Sequence, residues 1–242
     1  MLAGGCGGKS GNAQPAVTPA EAIQRAAVRL SEEGTFRFDA SFTRVQDAEP
    51  DEVEEYATAE GVVDLTAGKA RASFELAPLF PGRENPAPLD DPVELRWGDE
   101  SITVVADGRS QRLDRSQARE SGGLLGRYPD EVDALDDLLA DALRPRLLGN
   151  DDGEAHYSFT IDSRAAGRRG FPAELSDAFA QSKGGPKLEL ETWIGSDGLP
   201  HRLDYVIRLE PVRNDGKLIL PARTVRVTYV LSEFGEPVDE ND

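Results

Sequence analysis

Hydrophobic and polar residues alternate with period two over most of this chain, and the stretches that break the alternation mark its helices. Phe36, Phe38, Ala40 and Phe42 alternate with Arg37, Asp39, Ser41 and Thr43, which predicts a strand with one dry and one wet face. Asp47 to Glu55 reads as an acidic loop. A second strand follows, with Ala57, Ala59, Val63 and Leu65 on one parity, and Ala67-Gly68 turns it into a third with Ala70, Ala72, Phe74 and Leu76. Val93, Leu95 and Trp97 form the next strand. Gly98-Asp99 begins a turn into Ile102, Val104 and Ala106, and Asp107-Gly108 is a strong hairpin signal. Late in the chain, Tyr157, Phe159 and Ile161 stand opposite His156, Ser158 and Thr160. Leu188, Leu190, Thr192 and Ile194 run through Ser196-Asp197-Gly198-Leu199-Pro200 into Leu203, Tyr205, Ile207 and Leu209. A turn at Asn214-Asp215-Gly216 precedes a last strand with Val225, Val227, Tyr229 and Leu231.

Helical spacing replaces the alternation in three places. Thr18-Pro19-Ala20-Glu21 is a capping box with Pro at N1, and Ile23, Ala26, Ala27 and Leu30 then recur on one face before Gly34. That narrow stripe of mostly small residues suits a helix lying on a flat surface. From Pro129, the residues Val132, Leu135, Leu138, Leu139, Ala142 and Leu143 predict an amphipathic helix that Pro145 ends. Its other face, Asp130, Glu131, Asp133, Asp136, Asp137 and Asp141, reads as solvated, with acids favoured in early turns by the helix dipole. Phe171-Pro172-Ala173-Glu174 opens a short third helix through Leu175, Ala178 and Phe179, and Leu79 to Pro92, with four prolines, reads as a crossover loop. One antiparallel sheet can carry all the strands, its dry face covered by helices, in an α+β domain over residues 18–235. Residues 236–242 read as a disordered acidic tail.

Charge and cysteine content narrow the function. Lys and Arg total 27 against 45 Asp and Glu, a net charge of −18. Nucleic-acid affinity depends on neutralising phosphates with basic side chains, so nucleic acid is not an expected partner. The one cysteine, Cys6, excludes an intrachain disulfide and a cysteine-based zinc site. It stands in Leu2-Ala3-Gly4-Gly5-Cys6, a string like a lipobox, in which the cysteine thiol receives a diacylglyceryl group. Residues 7–17 are mostly Gly, Ser, Asn, Gln, Pro and Ala with little to bury, as a tether would be. Ala3-Gly4-Gly5-Cys6-Gly7-Gly8-Lys9-Ser10 fits a relaxed Walker A pattern. A P-loop needs a strand before it and a helix after it, and Gly11-Asn12-Ala13-Gln14-Pro15 is a poor helix.

Candidate chemistry is sparse. The histidines, His156 and His201, read as solvated. No Gly-x-Ser-x-Gly elbow and no His pair at metal-ligand spacing occurs in the sequence. Asn150-Asp151-Asp152-Gly153-Glu154 reads as a turn, not a calcium loop. No enzyme activity, cofactor or metal is expected. A hydrolase built on an unrecognised carboxylate pair would need buried acids in a cleft.

Three stretches together carry a resemblance: Leu2-Ala3-Gly4-Gly5-Cys6, the Leu188-to-Leu209 hairpin around Trp193-Ile194-Gly195-Ser196-Asp197-Gly198-Leu199-Pro200, and the ending Val227-Thr228-Tyr229-Val230-Leu231-Ser232-Glu233-Phe234-Gly235-Glu236-Pro237-Val238. The arrangement resembles actinobacterial cell-envelope lipoproteins of the LppX/LprG type, related in fold to the LolA and LolB lipoprotein carriers. The resemblance implies a half-barrel, a curved antiparallel sheet with helices on its concave face, that holds acyl chains between the two layers. It implies a lipid-anchored protein on the outer face of the cytoplasmic membrane, with Cys6 as the lipidation site and a lipid or other apolar molecule as partner. Phe36, Phe38, Phe42, Phe74, Leu76, Trp97, Ile102, Leu190 and Leu203 are then the candidate walls of a dry cavity. The alternative is an anchored interaction or scaffold protein with a filled core, docking a partner on its acidic face.

Overall fold

The first helix is set by its ends. Thr18 Oγ1 accepts from the Glu21 backbone N–H while the Glu21 carboxylate reaches back to the Thr18 N–H at 2.9 Å, so the capping box is closed in both directions. Gly34, at φ 75°, ends it in the left-handed region. The helix, α1 (Pro19–Glu33), buries Ile23, Ala26, Ala27 and Leu30, as its stripe predicts. The computed structural model describes residues 17–46, 49–76, 92–121, 124–162, 166–167, 171, 188–209, 212–214, 217–220 and 222–238. Cys6 and its spacer up to residue 16, residues 77–91 of the proline-rich loop, the 172–187 stretch and the last four residues lie outside them.

Strands β1 (Thr35–Gln46), β2 (Glu49–Asp64), β3 (Lys69–Leu76), β4 (Val93–Gly98), β5 (Ser101–Ala106) and β6 (Arg109–Asp114) form the predicted meander. Helices α2 (Arg115–Ser121), α3 (Leu124–Asp133) and α4 (Leu135–Ala140) follow. The second half is β7 (Leu143–Asp151), β8 (Glu154–Thr160), β9 (Leu188–Ile194), β10 (Pro200–Leu209), the small hairpin β11 (Val212–Asn214) and β12 (Lys217–Leu220), and β13 (Arg223–Ser232). Eleven strands make one open antiparallel sheet in the order β6-β5-β4-β3-β2-β1-β13-β10-β9-β8-β7. The expected α+β class with a single curved sheet is what forms. Its two halves meet where β13 returns beside β1, pairing Phe38 with Leu231 and Phe42 with Val227.

Register puts every predicted dry parity on one face, because a slip of one residue would turn a whole strand over. Large and small residues alternate across it. Phe38 lies opposite Gly61, which lies opposite Ala72. A Cβ on Gly61 would come within 2.4 Å of the Phe38 ring and of the Arg71 carbonyl, so only glycine fits beneath that ring. Ala40 pairs with Ala59, and the neighbouring positions on either side of that pair are Tyr229 and Phe74. The result is a shallow dimple of alanines ringed by aromatic side chains.

Three expectations need correction. The acidic stretch is not all loop: residues 49–55 belong to β2, where Glu54 takes both Arg44 nitrogens at 2.8 Å. The helix predicted from Pro129 to Leu143 is two helices, with Pro129 inside α3 and a break at Ala134. Leu143 instead opens the edge strand β7, half exposed, and Pro145 sits within that strand, where an edge tolerates its missing N–H. The polar stretch after Asp107 forms β6 and α2. Asp107 and Gly108, at φ 50° and 69°, make the predicted turn.

Candidate apolar site between the sheet and the helices

Phe36, Phe38, Phe42, Phe74, Trp97, Ile102, Leu190 and Leu203 are all buried and belong to one hydrophobic cluster with α1, α3 and α4. Leu76 closes β3. These eight side chains therefore gather on the face that the helices cover. What occupies the centre of that face is Tyr128 of α3, which the sequence reading did not single out. Its ring lies 4.6 Å from Phe74, edge-on, 5.8 Å from Phe42, 6.2 Å from Phe38 and 6.4 Å from Tyr229, centroid to centroid. These four rings surround the Ala40–Ala59 pair, so Tyr128 fills the dimple between them.

Beside Tyr128 lies a buried polar cluster. Glu131, 1% exposed, accepts hydrogen bonds at Oε1 from the Tyr205 hydroxyl at 2.6 Å and the Tyr229 hydroxyl at 2.5 Å. Burial pushes the Tyr229 hydroxyl well above the ordinary tyrosine range, and the negative Glu131 adds to it. Tyr128 is pushed the same way, first by burial, with the Tyr229 hydroxyl drawing it back. The Tyr128 hydroxyl makes no hydrogen bond of good geometry among the described residues. Phe171 closes on Tyr205 edge-on at 4.7 Å.

The acidic face of this region is solvated only in part: Asp133, Asp137 and Asp141 are exposed as expected, but Asp130 and Glu131 are buried. Asp130 is 6% exposed and neutralised by Arg115 at 2.7 Å and by Arg119 at 2.5 and 2.7 Å. Asp133 accepts from the Trp97 indole at 3.0 Å and from Arg115 at 2.8 Å. These bonds tie α2, α3 and β4 together. The two helices also touch closely: a Cβ on Gly126 would meet the Ala118 carbonyl at 2.2 Å.

The histidines are not simply solvated either. His156 stacks on Trp193 at 4.0 Å and pairs with Glu191 at 2.8 Å, while Arg202 covers the Trp193 ring at 4.4 Å. His201 lies between Glu154 at 2.5 Å and Asp197 at 3.0 Å, with Phe234 at 5.8 Å. The carboxylates come from different places: Glu191 stands on β9 beside the His156 strand, whereas His201 takes Asp197 from the turn ahead of β10 and Glu154 from β8, two strands away. Asp152-Gly153 forms the expected turn, with φ 49° and 92°. Among the described residues, no group of three or more metal-ligating side chains occurs, and no helix is long and apolar enough to cross a membrane.

The dry face reaches the open edge of the sheet. Its central row runs from Ala40 through Tyr229, Leu203, Thr192 and Tyr157 to Leu147 on β7. Leu203 and Tyr229 are sealed, Tyr157 is half-buried and Leu147 is 55% exposed.

No family model and no curated protein sequence matches this chain. Solved structures do. LprF from Mycobacterium bovis is 15% identical and superposes over 91% of this chain and 94% of its own, with a TM-score of 0.53. The lipoprotein LppX from Mycobacterium tuberculosis is 13% identical over 91% of this chain and 97% of its own, with a TM-score of 0.51. A LolA superfamily protein from Nitrosomonas europaea aligns at 12% identity over 93% of this chain and 97% of its own, with a TM-score of 0.33. The chain has the LppX-type fold: one open, curved antiparallel sheet with its helices gathered on one face.

Proposed function

We propose that this protein is a lipid-anchored component of the cell envelope that holds a lipid or other apolar molecule, without covalent chemistry, between the sheet and the helices. Cys6 carries the anchor and residues 7–17 the tether in this reading. Residues 18–235 are the binding domain. Phe36, Phe38, Phe42, Phe74, Leu76, Trp97, Ile102, Leu190 and Leu203 are the walls that would meet the ligand. The observation that carries the proposal is the continuity of the apolar face from its buried centre to half-exposed Leu147 at the sheet edge. Such a face offers a hydrocarbon chain a dry surface and a way onto it. The likeness to the lipoprotein LppX supports the same reading.

The buried carboxylates support a binding protein over a hydrolase, since each is already engaged. Asp130 has two arginines, Asp204 has Arg202 at 2.7 Å, and Glu131 has two tyrosine hydroxyls. One observation favours the alternative, an anchored interaction protein: Tyr128 already fills the dimple that a ligand would use.

Two measurements test the proposal. Organic extraction of the purified chain, read by mass spectrometry, should yield a stoichiometric lipid, or the chain should bind an environment-sensitive apolar dye with one-to-one saturation. Neither result would leave the interaction protein as the reading. For the anchor, Cys6→Ser in cells should move the protein from the membrane to the soluble fraction. Unchanged partition would remove Cys6 from this role.

A further inference from the structure

Exposed large hydrophobic residues are not scattered over this protein. Of the seven among the described residues, Leu143, Leu147 and Leu148 lie on β7, Val28 lies on α1 and Val17 immediately precedes it. Helix α1 packs against β7, so these elements form one side of the molecule. The basic residues there stand out against a chain of net charge −18. Arg144 and Arg146 stand among the leucines in Leu143-Arg144-Pro145-Arg146-Leu147-Leu148, a run without an acid. Both arginines are exposed and have no carboxylate partner among the described residues. Arg25 and Arg29 stand on the exposed face of α1 beside Val28, Arg29 paired with Glu33 at 3.1 Å, and α1 with Glu21 lines an apolar cleft of about 670 Å³ with Ile194, Asp197 and Gly198.

We infer that this side of the molecule, β7 with the outer face of α1, docks on an anionic lipid bilayer. The inference goes beyond ligand binding and rests on the anchored reading only for bringing the chain to a membrane. Its chemistry is that of an interfacial element: leucines and a valine reach the acyl boundary while arginines meet lipid phosphates. The overall negative charge does not forbid this, because at physiological salt fields are screened beyond about 8 Å, and Arg144 and Arg146 stand in a run without an acid. A second strand adding to the β7 edge is the less suited partner, since Pro145 removes a ladder donor and the arginines repel a flat neighbour. Position adds to the argument. The segment ahead of α1 is 11 residues from Cys6 to Thr18, a reach of at most roughly 40 Å, so an anchored chain keeps α1 near the bilayer. Leu147 also ends the row of the apolar face, so docking here would turn the open edge of that face toward the lipid.

The test uses the full chain with Cys6→Ser, which removes the anchor and leaves the patch intact. Flotation is measured with phosphatidylcholine vesicles, pure or carrying about a third phosphatidylglycerol. The chain should float with the anionic vesicles and more weakly with neutral ones. Leu147→Ser with Leu148→Ser should lower the partition constant by about tenfold or more. Arg144→Gln with Arg146→Gln should lower it about fivefold per arginine, on anionic vesicles only. These residues are exposed, so circular dichroism and light scattering should find each variant folded and in the wild-type oligomeric state. Absence of flotation, flotation indifferent to both variants, or a change of oligomeric state in place of vesicle binding overturns the inference. None of these outcomes bears on ligand extraction or on the Cys6 partition experiment.

Discussion

Glu131 and Tyr229 are 98 residues apart in the chain and 2.5 Å apart across the core. The bond fastens α3 to the centre of the sheet at a carboxylate that water does not reach. Tyr205 makes the second bond to the same oxygen. Glu131→Ala strands both hydroxyls, and the expected cost is roughly 2–5 kcal/mol, since each abandoned buried donor costs about 1–3 kcal/mol. Glu131→Gln keeps an acceptor but makes both bonds neutral, about half as strong, so it should cost clearly less than the alanine. Urea unfolding measures both as shifts in midpoint at constant slope. If Glu131→Ala came within about 0.5 kcal/mol of wild type, the cluster would contribute nothing to holding the helix down.

The same cluster sets the alkaline limit of the fold. Tyr128 and Tyr229 are held well above the ordinary value of 10.0 by burial, and Glu131 opposes their ionisation further. Their neutral forms are the ones that fit the folded state. The fold therefore keeps its full stability below about pH 10, where the unfolded chain also holds these protons, and loses it as pH rises further. With two such groups the loss approaches about 2.7 kcal/mol per pH unit. Tyrosinate absorbance from these two residues should appear together with unfolding. Ionisation of all five tyrosines before any loss of the near-ultraviolet dichroism would contradict this.

His201 gives a second pH dependence in a milder range. Burial works against its charge, but the carboxylates of Glu154 and Asp197 outweigh burial and raise it above the ordinary 6.5. The protonated ring is thus favoured in the fold. Its contribution is complete below the ordinary histidine value and is lost as pH rises through the raised one. Between those limits the thermal midpoint of the wild type should fall with pH, while His201→Gln should show a flatter profile. Parallel profiles for the two proteins would show that the bridge contributes no pH-dependent stability.

The sheet was readable because strands with one wet and one dry face write period two into the chain, as Phe36, Phe38, Ala40 and Phe42 do. What was not readable follows from the same physics. Strand β7 is an edge whose side chains stay largely exposed even where α1 packs beside it, so Leu143, Arg144, Arg146, Leu147 and Leu148 do not sort into one dry and one wet parity. Its leucines were assigned to a helix or to nothing. In α3, the residues from Tyr128 to Val132 are all buried, five in a row, because sheet, α2 and α4 enclose the helix on several sides. A helix enclosed in this way shows no polar face, and its acids are read as solvated although Arg115, Arg119 and two tyrosines engage them. The one available signal was Arg115 and Arg119 at helical spacing ahead of Asp130. Burial of Phe36, Phe38, Phe42 and Phe74 was legible because period two alone selects it, but the ring that fills the space between them sits on the segment whose period was misread.

Tyr128 therefore decides between the two readings of the interior. Its ring contributes edge and tilted contacts to Phe74, Phe42 and Phe38 in the dimple over Ala40 and Ala59. Tyr128→Ala removes that ring, and a large aromatic lost from a core costs about 3–5 kcal/mol, with the loss greatest where the surroundings do not collapse. The space left is lined by Phe side chains and alanines, so it should stay dry and accept hydrocarbon. If the apolar face is a ligand surface that Tyr128 occupies in the unliganded protein, the variant should bind a small hydrocarbon or an apolar dye more tightly than wild type. The ligand should then restore much of the lost thermal midpoint, in proportion to the logarithm of its concentration. A variant that is destabilised by the expected amount yet gains no affinity and is not rescued has simply lost core packing, and the filled-core reading would stand.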